Sequence, residues 1–188
     1  MGNLEIIQRN GNKIQLFSRE PFCALKSATQ NISLMGDDSV QLSFVSDTIF
    51  TFGKGDKIVI DGEEYTLRTK VKREMYSDSH FVYDATFYGV MYELMKCIYR
   101  DTDEQGKSSR STFDLTYTIC DFVRVIVYNM NRDYPGMWQF NEKDCPETEA
   151  RTVSFSRNNC LQVLQTLCSE NEFNLEFLIT QDNGVRTI

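Results

Sequence analysis

The stretch Arg151–Ile179 (RTVSFSRNNCLQVLQTLCSENEFNLEFLI) switches apolar period twice, and this constrains the rest of the chain. Val153 and Phe155 alternate with Ser154, the period-two signature of a half-buried strand. Leu161, Leu164, Leu167 and Cys168 then fall on one helical stripe. Ser156, Asn158 and Asn159 are the candidate caps, because a short side-chain oxygen accepts an orphan N–H of the first turn. Leu175, Phe177 and Ile179 return at period two and predict a closing strand. Strand, helix and strand this short cannot bury their own apolar faces, so the remaining sequence must supply the partners.

The first half supplies strands. Leu4–Ile7 and Lys13–Phe17 flank Asn10–Gly11–Asn12, a hairpin signal because Asn and Gly tolerate positive φ. Ala28, Gln30, Ile32 and Leu34 alternate, Gly36–Asp37–Asp38 turns the chain, and Val40, Leu42 and Phe44 alternate again. Asp56–Ile60 and Glu64–Lys72 flank Asp61–Gly62, with Gly53 and Gly55 just upstream. Phe81, Tyr83, Ala85 and Phe87 share a face of His80–Tyr88. Seven or so strands and no convincing helix read as a small barrel or sandwich.

The pattern changes at Gly89. Val90–Tyr99 fits a short helix or a strand equally well. Asp101–Arg110 is a polar loop and Ser111–Tyr117 a strand. Ile119–Arg132 is helical, with Phe122, Val123, Ile126, Val127 and Met130 on its apolar stripe and Asp121 in its first turn. Tyr134–Pro135–Gly136 stops it. The expected architecture is α+β: an N-terminal antiparallel β-barrel-like module over residues 1–98, then an α+β module over 99–188 with two helices packed on a small sheet.

Composition narrows the function. The formal net charge of −7 argues against nucleic acid or an anionic membrane as partner. No apolar run approaches the ~20 residues of a membrane helix. Met1–Gly2–Asn3 leads directly into a strand-like segment with no signal peptide. Cys23, Cys97, Cys120, Cys145, Cys160 and Cys168 lack C-x-x-C spacing, so they are expected as reduced structural thiols in a cytoplasmically made chain, without a disulfide framework.

No pattern of reactive residues assembles a catalytic, cofactor or metal site. His80 has only Ser79 beside it. Phe52–Gly53–Lys54–Gly55 opens a hairpin, whereas phosphate cradles open a helix. Asp101, Asp103 and Gly106 begin a calcium-loop pattern, but Gln105 and Thr112 break it. Asp37–Asp38 and Glu63–Glu64 are adjacent carboxylates, and strand neighbours point to opposite faces. Trp138 with Phe140 suggests a sugar-stacking platform, against the commoner role of a lone Trp folded over a core.

Three blocks together resemble a family: Asp56–Arg68 with the aromatic strand ending in FYGVMYELM; Trp138 followed by Cys145–Pro146–Glu147–Thr148; and Arg151–Phe155 with Asn159–Cys160–Leu161 opening a helix. Their order, over about residues 50–180, is similar to the N-terminal region of bacteriophage and prophage tail-hub proteins, including baseplate hubs and tail-associated endopeptidase-like tips. The resemblance implies a homotrimer whose paired barrel modules form a pseudo-sixfold ring. That ring joins the tail tube or distal tail ring to a threefold tip in the virion. It implies distal-tail, tube and tip proteins as partners, no cofactor, and no enzymatic role for this segment, tip peptidases lying in downstream domains. Hub chains run longer, so a C-terminally incomplete hub is expected. Two competing readings are a cell-surface carbohydrate-binding β-rich module and a fragment of a peptidoglycan hydrolase.

Overall fold

In the computed structural model, which describes residues 4–102, 107 and 110–188, the chain divides into two units, Met1–Gly89 and Val90–Ile188. The division falls earlier than the expected boundary after residue 98.

Unit one is built from β1 (Glu5–Ile7), β2 (Lys13–Gln15), β3 (Phe17–Arg19), β4 (Phe22–Ile32), β5 (Asp38–Ser46), β6 (Lys57–Ile60), β7 (Glu63–Leu67), β8 (Lys72–Ser77) and β9 (His80–Tyr88). They form one antiparallel sheet in the order β2-β1-β6-β7-β9-β5-β4-β3, with β8 attached to β9. The alternation read from sequence sets its register. Val40 lies opposite Phe87, Leu42 opposite Ala85 and Phe44 opposite Tyr83. All six are buried, and the Phe44 and Tyr83 rings stack with centroids 5.0 Å apart. Such directly opposed pairs are the unit of sheet stabilisation. Asp61 and Gly62 both take positive φ, 51° and 88°, which a two-residue hairpin needs to match the twist of its strands.

The two ends of this sheet, β2 and β3, are separated by one residue, Leu16. Its N–H donates to Leu4 O (3.1 Å), and its carbonyl accepts from Leu25 N (3.0 Å). One strand, bent at Leu16, therefore pairs with β1 before the bend and with β4 after it. The sheet curls until its ends meet there, with the Leu16 side chain wholly buried. The expected barrel-like module is present, although the ladder is not continuous around it.

Unit two contains a 3₁₀ segment (Val90–Lys96), β10 (Thr112–Tyr117), α1 (Ile119–Asp133), β11 (Trp138–Gln139), β12 (Arg151–Ser156), α2 (Cys160–Cys168), β13 (Thr180–Asp182) and β14 (Val185–Thr187). The 3₁₀ segment settles Val90–Tyr99, where periodicity left helix and strand open. β10 and β12 pair antiparallel. β11, β14 and β13 form a second small sheet. Thr118 caps α1, accepting from Asp121 N. Of the three candidate caps for α2, Asn159 does the work in a capping box with Gln162. Asn158 instead accepts from Ser156 N, 2.8 Å. Phe122 of α1 packs on the sheet edge-on to Phe155, centroids 5.8 Å apart.

Two expectations need correction. Leu175, Phe177 and Ile179 do not form a strand; the next strand begins at Thr180. Phe177 is buried and Leu178 exposed, so the alternation is real. It records side-chain burial along an extended segment without a ladder partner. The second correction concerns the thiols. Cys120 and Cys145 are joined in a disulfide, 25 residues apart in sequence. The fold brings the first turn of α1 against the 141–148 loop, a proximity invisible in the spacing. The other four cysteines are free and buried.

Leu16→Ala opens a cavity where the sheet meets itself. It is expected to destabilise the chain by about 2–5 kcal/mol, read as a lowered urea midpoint. A loss no larger than that of an exposed Leu→Ala control would show that the seam does not hold the barrel.

Candidate functional site

Most residues singled out from sequence have structural duties. Gly53 N donates to Asp56 Oδ2 (2.8 Å) and Arg9 N to Asp56 Oδ1 (2.9 Å). Asp56, only 3% exposed, thus takes the loop amide that a phosphate would have sought. His80 Nδ1 lies 3.2 Å from Ser77 Oγ and 3.0 Å from Ser79 Oγ, and its ring meets Phe22 edge-on. Asp101 pairs with Arg110 at 2.8 Å, and Thr112 opens β10. Asp103, Gln105 and Gly106 of the calcium pattern lie outside the described residues. Among the described residues, no three His, Cys, Asp or Glu side chains are grouped to hold a metal ion.

Trp138 is 1% exposed, so it cannot offer its face to a sugar. Asn131 on α1 clamps its main chain like a neighbouring strand: Trp138 N donates to Asn131 Oδ1 (3.0 Å) and Asn131 Nδ2 donates to Trp138 O (2.8 Å). The reading of Trp138 as a carbohydrate platform is withdrawn.

The two carboxylate pairs behave unexpectedly. Neighbours within each pair diverge, as strand geometry requires. Yet one member of each converges on the Tyr65 hydroxyl. That hydroxyl accepts from Gln30 Nε2 (2.9 Å) and donates to Glu63 Oε2 (3.3 Å), with Asp38 beside it as a competing acceptor. Burial raises the Asp38 pKa, the Tyr65 bond opposes this, and the charges of Glu63 and Asp37 add to the rise. Burial likewise pushes the Tyr65 phenol up to about 12. Gly89 is needed here: a Cβ on it would lie 1.5 Å from Asp38 Oδ2. The other members are engaged apart, Glu64 with Lys57 at 2.5 Å. This cluster ties the start of β5 to β7.

Unit two has its own buried polar contacts, on residues that the sequence reading passed over. Asn129 on α1 is wholly buried. Its Nδ2 donates to Arg100 O and Val125 O, both at 2.8 Å, and its Oδ1 accepts from Arg100 N (3.1 Å) and Thr102 Oγ1 (3.2 Å). Arg186 of β14 pairs with Glu93 at 3.1 Å, both largely buried. An Asn on a helix face and two charges 93 residues apart carry no sequence signal of pairing. Cys160 N donates to Cys97 O (2.9 Å), and the hydrogen bond between the two thiols, together with burial, holds the Cys160 thiol well above its ordinary range.

One cavity of unit one, about 390 Å³, is lined by Thr29, Gln41, Lys70, Lys72 and Asp84, among others; two more bear on function. In unit two, a largely apolar one of about 300 Å³ is lined by Val123, Phe140, Leu164, Cys168, Phe177 and Ile188, among others. In unit one, an open one of about 580 Å³ is lined by the aromatic residues Phe50, Phe52 and Tyr83 and by Lys70, Lys72 and Arg73. Neither is lined by the Asp38–Glu63–Tyr65 cluster. No helix among the described residues is long and apolar enough to cross a membrane.

No protein-family model matches the chain, and no curated protein matches it. Solved structures do. The crystal structure of the prophage tail protein gp18 from Listeria monocytogenes EGD-e matches with a TM-score of 0.62 at 12% identity, over 99% of this chain and 50% of that one. The E. coli c3393 protein is a component of the type VI secretion system, structurally similar to the T4 bacteriophage tail proteins gp27 and gp5. It matches with a TM-score of 0.50 at 17% identity, over 82% of this chain and 42% of that one. The chain thus spans half or less of the length of these two proteins. At such identities the shared property is the fold: an α+β chain with a barrel-like unit, of the kind found in phage tail-type proteins.

Two measurements test the site chemistry. The folded chain holds the Asp38 proton more tightly than the unfolded one. The ionised form is therefore penalised, and stability falls as pH rises from ~3.9, the ordinary aspartate value, through the raised pKa. Asp38→Asn mimics the protonated carboxyl, so it should be more stable than the parent at neutral pH, with the gain vanishing below the ordinary aspartate range. A gain independent of pH would disprove the coupling. For the thiols, oxidised folded protein should resist alkylation until denatured, and peptide mapping should then recover Cys120 linked to Cys145. Alkylation of either residue without reductant would disprove the bridge.

Proposed function

We propose that the chain is a structural component of a phage or prophage tail, the N-terminal portion of a tail-tip or baseplate hub acting through protein–protein assembly. The observation that carries this reading is the match of 99% of the chain, both units together, to the fold of a prophage tail protein. The order of the three sequence blocks supports it independently.

On this reading the chain works as a homotrimer whose barrel units build a ring between the tail tube or distal tail ring and the tip. Its partners are other tail proteins, and its place is the virion. A disulfide suits a protein that functions in an oxidising exterior after synthesis in the bacterial host cytoplasm.

Sedimentation velocity on the complete gene product tests the assembly: a trimer is expected, and a strict monomer at every attainable concentration would overturn the trimeric hub. Cell-wall turnover by the purified chain would overturn the non-enzymatic reading.

A further inference from the structure

In a chain of net charge −7, the six residues Arg68-Thr69-Lys70-Val71-Lys72-Arg73 hold four cations. Three of them, Lys70, Lys72 and Arg73, are exposed and form the cationic wall of the open cavity in unit one, whose lining also holds Phe50, Phe52 and Tyr83. The run leads into β8, every residue of which is exposed and which pairs only with β9. Met75 and Tyr76 are 69% and 72% exposed. The surroundings only partly quench the charge: Lys72 meets Glu74 at 2.7 Å and lies opposite Asp84 of β9, and Arg73 lies over the Phe81 ring. A cationic wall beside a bare strand edge and exposed apolar side chains has the composition of an interface that is not yet covered.

The complementary surface is on the same chain. Residues 142–149 read Glu-Lys-Asp-Cys-Pro-Glu-Thr-Glu, four carboxylates to one lysine. This loop is held in shape. The Cys120–Cys145 disulfide fixes its middle. Thr148 Oγ1 accepts from Ile119 N (3.1 Å), and Glu142 pairs with Arg124 (2.9 Å). Glu147 and Glu149 remain exposed. A rigid acidic loop loses little conformational entropy on docking, which favours its use as a contact.

We infer that the Lys70–Arg73 wall of one copy receives the Glu147–Glu149 loop of a second copy. The two patches differ, so the contact is head-to-tail, the kind that closes into a ring when the rotation per copy allows. This rests on the assembly reading above and adds the surface and the charge pattern that set the neighbour's register. Charge complementarity of this sort governs encounter and rejects wrong orientations more than it adds raw affinity.

The test is charge reversal and its rescue, on the full chain with folding checked by circular dichroism. K70E/K72E/R73E and E147K/E149K should each weaken self-association about tenfold, and wild-type association should weaken with added salt. Carrying all five changes in one chain should restore association. If wild-type protein assembles but neither reversal nor salt changes its assembly, or if the five-fold variant stays dissociated while folded, the contact is wrong and the hub reading stands. If wild-type protein is monomeric throughout, the trimeric hub reading fails with it. A short oligonucleotide bound by wild type and lost in K70E/K72E/R73E, with self-association unchanged, would reassign the wall to a polyanion.

Discussion

Leu16 is where the two ends of the sheet in unit one run together in one bent strand. A nine-stranded antiparallel sheet has two terminal strands with unpaired backbone groups, and such edges invite aggregation. Here the two terminal strands are consecutive pieces of one bent strand, and Leu16 bonds to Leu4 on one side and to Leu25 on the other. The curl brings Ile6, Phe44, Ile58, Leu67 and Phe87 into one core. Without it, the same residues would lie on the exposed face of an open sheet. Asp56 and the Tyr65 cluster are secondary ties on this frame: the first fixes the glycine loop ahead of β6, the second joins β5 to β7.

Unit two uses fewer hydrogen-bonded strands and more side-chain chemistry. Its sheets have two and three strands, too few to be stable without helices packed on them. Asn129, Asn131 and the Glu93–Arg186 pair supply bonds that longer ladders would otherwise provide. Buried polar groups of this type cost free energy if left unpaired and fix a unique arrangement when satisfied. The disulfide and Thr148 treat the acidic loop as part of the helix that they brace. The rigidity of that loop is what makes its carboxylates usable as a docking feature.

The central strands of unit one were legible because burial on one face imposes period two, and Asp61–Gly62 fixed a turn that few other residue pairs tolerate; β8 was not, because all its residues are exposed, and the alternation of Ala28, Gln30, Ile32 and Leu34 marks no buried face. The two helices were legible from their stripes and caps. Leu175–Ile179 shows the limit of the same logic, since alternation reports which side chains are buried and is silent on whether a backbone partner exists. The disulfide was missed because spacing along the chain says nothing of two cysteines brought together by a helix start and a loop. Trp138 was readable both ways, and only its burial decided between platform and core. The cations of Lys70–Arg73 are contiguous in the sequence, but the aromatic residues that line the same cavity, Phe50, Phe52 and Tyr83, come from other segments.

By itself the sequence determined which residues seek the interior, where the chain turns and where its helices begin, because these follow from local periodicity and backbone preference. Tertiary structure decided that one bent strand joins both ends of the sheet, that Asp38 and Glu63 gather at one tyrosine, and that Cys120 meets Cys145. Each of these depends on distances between residues far apart in the chain, and such distances exist only once the hydrophobic faces have found one another.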